Sequence, residues 1–273
     1  MGKKSKRAEK LNLPLTIEPA ESSDRLEVRR TAKLYIGGAF PRSESGRSRE
    51  VQLAKGGVAN IAGGSRKDLR EAVRVARIAA EPWAARTAMV RGQILYRVAE
   101  LMEGRAAQFR DDLINHGASK SDAAAEVSAA IDRMVWYAGW PDKLSAVLGG
   151  TNPVASSHFV FTLPEPTGVI ASIAPEASPL LGLVSRLGGI LAGGNVAIVL
   201  ASESAPLPAV TLAETLAVSD VPAGVVNIIT ARRAELLPHL VRHADIDGFD
   251  LWGCPDELLV EAEQGAAEHV ARV

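Results

Sequence analysis

The spacing of apolar residues changes character near the middle of the chain. From Asp68 to Arg91, Leu69, Val73, Ala76, Ala79 and Ala80 recur at helical spacing, with basic residues on the opposite face. Gln93 to Ile114 continues the pattern through Leu95, Val98, Leu101 and Met102. Ser121 to Trp140 is a third, Ala-rich helical run, with Ser121 or Asp122 as its cap. Ahead of these helices, Lys33–Ile36 reads as a short strand closed by the turn pair Gly37-Gly38.

Beyond Gly149-Gly150 the period shortens. His158–Thr162 is a strand in a proline-flanked, hairpin-like segment. Strands are then predicted at Gly168–Ala174, Asn195–Leu200, Gly224–Thr230 and Ile246–Leu251. Helices follow them at Leu180–Leu191, Pro206–Val218, Ala234–His243 and Asp256–Val270. Apolar strands alternating with amphipathic helices imply βαβ units, a buried parallel sheet and right-handed crossovers. The predicted class is α/β, a helical N-terminal segment followed by a doubly wound, Rossmann-like parallel sheet. Ligands in such sheets bind past the carboxyl ends of the strands. That singles out the loops Pro175–Pro179, Ala201–Pro206, Ala231–Arg233 and Trp252–Pro255. None carries the G-x-G-x-x-G fingerprint or a P-loop. Gly188-Gly189 and Gly193-Gly194 read as a helix end and the turn after it.

Composition narrows the classes. The 273 residues carry a formal net charge of −1, which argues against a general nucleic-acid or membrane-surface binder. A single cysteine excludes an internal disulfide or a cysteine-based zinc site and suggests a reducing, cytoplasmic setting. No apolar run reaches the roughly 18 residues that a membrane span needs, and the N-terminus has no apolar leader core. Residues 1–32 are set apart by Lys3, Lys4, Lys6, Arg7 and Lys10, then Pro14 and Pro19. They read as a basic, flexible tail or an anion-contacting arm, with the charge diluted by Glu18, Glu21, Asp24 and Glu27. His239 and His243 have metal-ligand spacing, but no third ligand accompanies them, so no metal is expected. Cys254 reads as a small residue near a helix start, or as a thiol whose pKa the helix end lowers.

Six fragments, in order, resemble the aldehyde dehydrogenase superfamily: KLYIGGAF, DLREAVRVARIAAEPW, YAGWPDKL, EPTGVIASIAP, LAGGNVAIVLASESAP and VPAGVVNIIT. The resemblance runs from about Lys33 to Val273. It implies NAD(P)-dependent aldehyde oxidation through a cysteine thiohemiacetal, with a cofactor-binding domain, a separate catalytic domain and an oligomerisation hairpin. It assigns residues 33–273 to the cofactor-binding domain, with the hairpin near 147–166. The family's general-base glutamate and nucleophilic cysteine fall beyond Val273, so no catalytic residue is expected within this sequence. Cys254 does not align with that nucleophile.

The four loops depart from the family pattern. P-W-N-F-P is replaced by Pro175-Glu176-Ala177-Ser178-Pro179, which puts Ala177 at the oxyanion-holding asparagine position. K-P-S-E becomes Leu200-Ala201-Ser202-Glu203, keeping the glutamate but not the lysine that contact the ribose. T-G-x-G becomes Thr230-Ala231-Arg232-Arg233, where the arginines either contact phosphates or form a solvated helix start. F-T-G-S becomes Phe249-Asp250-Leu251-Trp252-Gly253, with Leu251 and Trp252 expected to fill cofactor space. What remains is a weakened NAD(P) site in which Glu203, Ser202 and Arg232 are the candidate contacts. The expected role is a non-catalytic structural or regulatory subunit, partnering a full-length aldehyde dehydrogenase or self-associating, with no nucleic acid and no membrane. The alternatives are a residual NAD(P)-binding module or half of a split NAD-dependent oxidoreductase.

Overall fold

The computed structural model describes residues 30–273. The basic cluster Lys3–Lys10 lies outside them. At the end of the expected 1–32 tail, Thr31–Ala32 already forms strand β1, so ordered structure starts before Lys33. β1, β2 (Ser48–Gln52) and β3 (Val58–Ala62) make a three-stranded sheet in the order β1-β3-β2. The apolar pattern did not announce β2 or β3: Ser48–Gln52 holds one apolar residue, Val51, and owes its strand geometry to five paired positions on β3. Lys33–Ile36 is not a regular strand. Tyr35 alone bridges the main sheet, exchanging hydrogen bonds of 3.0 and 2.8 Å with Ile228, before the chain turns back at Gly37-Gly38.

The helical segment is cut more finely than its periodicity suggests. α1 (Arg66–Ala84) starts in a capping box: the Ser65 hydroxyl accepts from Asp68 N, and the Asp68 carboxylate accepts from Ser65 N at 2.8 Å. It ends before Arg91, and Thr87 caps a new helix, α2 (Ala88–Gly104). α2 in turn breaks at Arg105, before α3 (Ala106–Asn115). α4 (Lys120–Ala138) is capped by Ser119, whose hydroxyl accepts from Asp122 N at 3.1 Å, and not by Ser121 or Asp122. The two helix breaks went unseen for one reason: apolar spacing continues across a break when both helices face the same core; the Thr87 cap marks the first break, and Arg105 caps the second with no side-chain bond.

α5 (Leu144–Leu148) leads into a ribbon of β4 (Gly150–Asn152) and β5 (Val160–Thr162). The alternating half follows as read: β6 (Val169–Ile173), α6 (Leu181–Ala192), β7 (Val196–Leu200), α7 (Leu207–Leu216), β8 (Val226–Ile229), α8 (Arg233–Leu240), β9 (Gly248–Asp250) and α9 (Asp256–Ala267). The sheet is parallel, ordered β8-β7-β6-β9, and β7 is buried at every position. Strand order reverses between β6 and β9, so the crevice at their carboxyl ends is the topological switch point. Gly188-Gly189 lie inside α6 and do not end it. A Cβ at Gly188 would sit 2.2 Å from the Tyr137 ring, so the glycine lets α6 approach the end of α4 closely. Gly193 does cap the helix. Among the described residues no helix is long and apolar enough to cross a membrane.

α3 and α7 meet through a polar pair. The Thr211 hydroxyl donates to Asp112 at 2.5 Å, and Leu207 N donates to the His116 ring at 3.4 Å. Burial pushes the Asp112 carboxyl up to about 6 despite the Thr211 bond. Burial, with Arg49 nearby, pushes His116 down to about 4. On acidification the folded state takes up the Asp112 proton before the unfolded chain does, which adds stability between about pH 6 and pH 4. His116 acts in the opposite sense over the window from about pH 6.5 to pH 4, because the unfolded chain protonates first. The two contributions offset each other in the native protein. Urea unfolding at pH 7 and pH 5 should therefore show Asp112→Asn losing stability on acidification and His116→Gln gaining it; parallel behaviour of the two variants would exclude this coupling.

Candidate functional site

The carboxyl ends of the four parallel strands converge on one ion pair. Glu176 lies in the loop after β6, and its carboxylate accepts from the loop after β7. The Ser202 hydroxyl donates at 2.6 Å, Glu203 N at 2.9 Å and Ser204 N at 3.0 Å, with the Ser204 hydroxyl as a further donor. Burial works against the charge, but the bonds from Ser202, Ser204 and the two backbone N–H groups hold the Glu176 carboxyl below the usual carboxylate range.

Arg233, the first residue of α8, faces Glu176 from the other side. Its side chain is only 5% exposed, and Nη2 lies 2.6 Å from the Glu176 carboxylate. The same guanidinium donates to Ala174 O at the end of β6 and, over 3.1 Å, to Gly253 O in the loop after β9. Gly253 has to be glycine: a Cβ there would lie 2.1 Å from Ile173 O, and only its absence lets this loop close on β6. Glu176 and Arg233 thus tie together the loops after β6, β7 and β9 and the start of α8.

The sequence-predicted site residues do not converge on one ligand position. Ser202 is 1% exposed, and its hydroxyl donates to Glu176 while accepting from Ala205 N at 2.9 Å. The Glu203 carboxylate accepts from Arg233 N at 3.0 Å and so caps α8. Arg232 points outward, 3.9 Å from Glu235. The solvated-helix-start reading holds for Arg232 and fails for Arg233, which is buried. Leu200 is buried in the sheet, and Ala177 is exposed with no side-chain donor. Leu251 is 9% exposed, whereas Trp252 is 68% exposed with the Arg186 guanidinium 4.5 Å above its ring. Leu251 is buried at the end of β9, beside the space that Glu176 and Arg233 occupy, whereas Trp252 lies on the surface. Burial raises the Cys254 thiol pKa, Arg233 opposing, which corrects the expectation of a helix-lowered thiol. His239 and His243 gain no third ligand: among the described residues no group of three His, Cys, Asp or Glu could hold a metal.

This donor set does not fit a dinucleotide pyrophosphate. Such a group needs free N–H donors at a loop or helix start. Here the N–H groups of Glu203 and Ser204 face Glu176, and the first N–H of α8 faces Glu203. The adjoining concavity, about 720 Å³, presents Glu50, Glu176, Glu203 and Glu257 against Arg49 and Arg233. Carboxylates in that excess repel phosphate. Sequence reading missed the pair because a buried arginine at a helix start looks the same as an exposed one; the only signal was an acid at Glu176, between two prolines, in a strand-end loop.

Breaking the pair should cost stability. Arg233→Met leaves the Glu176 carboxylate without its counter-charge, and a loss of about 3 kcal/mol is expected, at the low end for a buried pair because Glu176 keeps 39% exposure. In a denaturant-unfolding cycle with Glu176→Gln, the double variant should be less destabilised than the two single effects combined; strict additivity would show that the two groups do not act together.

Comparison with known proteins matches this architecture. A family model described as the aldehyde dehydrogenase family matches residues 47–257. A mitochondrial aldehyde dehydrogenase family 2 member B4 from Arabidopsis thaliana is 31% identical over 230 residues, covering 82% of this chain and 42% of that protein. Human aldehyde dehydrogenase 1A1 is 29% identical over 248 residues, covering 88% of this chain and 49% of that protein. The NAD+ complex structure of an aldehyde dehydrogenase from Bacillus cereus superimposes with a TM-score of 0.82 at 27% identity, covering 89% of this chain and 50% of that one. The chain thus spans about half the length of the relatives it matches. With the strand order, the switch point and this match over most of its folded residues, the chain belongs to the aldehyde dehydrogenase family.

Proposed function

We propose that this chain is a non-catalytic subunit of an aldehyde dehydrogenase assembly, seated on a full-length family member through its β4–β5 ribbon. The observation that carries the reading is the apolar surface of that ribbon. Phe159 is 75% exposed, Leu163 62% and Phe161 55%, and Leu148 at the end of α5 is 62% exposed. The Phe159 and Phe161 rings lie 5.5 Å apart, which makes a continuous aromatic patch. A two-stranded ribbon has little stability by itself in water, and contiguous exposed apolar area marks an interaction surface. Among the described residues no further strand pairs with either edge of the ribbon, so its backbone can extend a neighbour's sheet.

The non-catalytic part of the reading rests on the bracing of the strand-end loops by Glu176 and Arg233, which occupies the donors a pyrophosphate would need. A cytoplasmic setting accords with the single free thiol.

Light scattering and native mass spectrometry of the chain, alone and mixed with a full-length aldehyde dehydrogenase from the same host, test the proposal. A complex of fixed ratio is expected, lost in Phe159→Ser/Phe161→Ser with far-UV circular dichroism unchanged. A monomer indifferent to the partner would refute it, and a homo-oligomer would replace the partner with a second copy. Calorimetry with NAD should give no saturable heat at millimolar cofactor; clear saturation would favour the NAD(P)-binding module, and dehydrogenase activity on mixing would favour the split enzyme.

A further inference from the structure

We propose that the face between the start of α1, the start of β2 and the outer side of α8 binds a short inorganic polyphosphate chain. This goes beyond the subunit role and uses none of the ribbon. A concavity of about 800 Å³ lies there, within the range of small-molecule sites. Arg47, Arg49, Arg66, Lys67 and Arg232 line it, against two carboxylates, Glu44 and Glu235. In a chain with a net charge of −1, this is a local segregation of positive charge.

The cations are poorly neutralised where they stand. Lys67 lies 2.5 Å from Glu44, with the two side chains 65% and 48% exposed. Arg232 lies 3.9 Å from Glu235, both more than 60% exposed. Exposed pairs of this kind contribute little and open readily to a competing anion. Like charges also face one another. Burial disfavours the charge on Arg49, with Glu203 opposing and Arg232 adding to it, and burial likewise disfavours protonation of His239, with Arg66 on the same wall adding to it. A multivalent anion between them removes both repulsions. The start of α1 is not what would bind it, since Ser65 N and Asp68 N are already taken by the capping box.

Two features set the ligand class. A second hollow of about 410 Å³ shares Arg66, Lys67 and His239 with the first and adds Arg70 and His243. The basic surface therefore runs on past the length of a single phosphate. Among the described residues no Phe, Tyr or Trp lines either hollow, so a base would find no stacking surface there. The site suits a chain of phosphates without a nucleobase.

Isothermal calorimetry of the full chain with sodium tripolyphosphate, at about 50 mM monovalent salt where surface charge is weakly screened, is the test. Saturable binding is expected. It should weaken tenfold or more in Arg47→Ala/Arg66→Ala and stay unchanged in Arg97→Ala, which alters the exposed face of α2. Should the double variant fail to fold by circular dichroism, Lys67→Gln alone should weaken binding several-fold. Absence of saturable heat, equal affinity in the Arg47→Ala/Arg66→Ala protein, or tighter binding of a short DNA duplex than of tripolyphosphate would overturn the proposal. Because Phe159→Ser/Phe161→Ser leaves this face intact, loss of the subunit interaction and loss of anion binding are read separately.

Discussion

A guanidinium taken out of water needs partners for its charge and its donors, and Arg233 finds them for both of its terminal nitrogens at the carboxyl ends of the sheet, its Nε alone staying unpaired among the described residues. Its counter-ion is Glu176 and its acceptors are Ala174 O and Gly253 O, which lie after β6 and β9 on either side of the switch point. Glu176 in turn needs donors, and the turn Ser202–Ser204 supplies them. Each group is tolerable in its place only because the other is there. The loops that in such sheets hold a ligand here hold one another.

Charge is distributed around α8 accordingly. On the α9 side, carboxylates outnumber arginines beside Glu203. On the α1 side, cations outnumber carboxylates. Arg49 stands between the two, donating to Glu203 O at 2.7 Å while lining both hollows. An anion is thus disfavoured at the strand ends and favoured one helix away. The ribbon of β4 and β5 is a third, separate feature, since its exposed large side chains, Phe159, Phe161 and Leu163, are apolar and none of its residues lines either hollow.

The alternating half was legible in the sequence because burial on both faces demands continuous apolar strands, and GVIASIA, NVAIVL and GVVNIIT supply them. Every strand and helix from β6 to α9 falls within a few residues of its predicted span. Helix breaks at Ala85–Thr87 and at Arg105 were not legible, since apolar spacing runs through them and only the Thr87 cap marks one. β2 was invisible because one apolar residue in five gives no period, and its pairing comes from β3.

The sequence by itself determined the class of fold, the family and the places where the strand-end loops fall, all of which follow from short-range periodicity and local motifs. Only the tertiary structure decided what those loops do. Ser202 and Glu203 were chosen as ligand contacts for their chemistry, yet their partners, Glu176 at 2.6 Å and Arg233 N at 3.0 Å, come from elsewhere in the chain. Whether an arginine is solvated, as Arg232 is, or buried, as its neighbour Arg233 is, depends on which way the first turn of α8 faces. That orientation is set by the packing of α8 against α9 and α1 and not by the residues adjoining it in sequence.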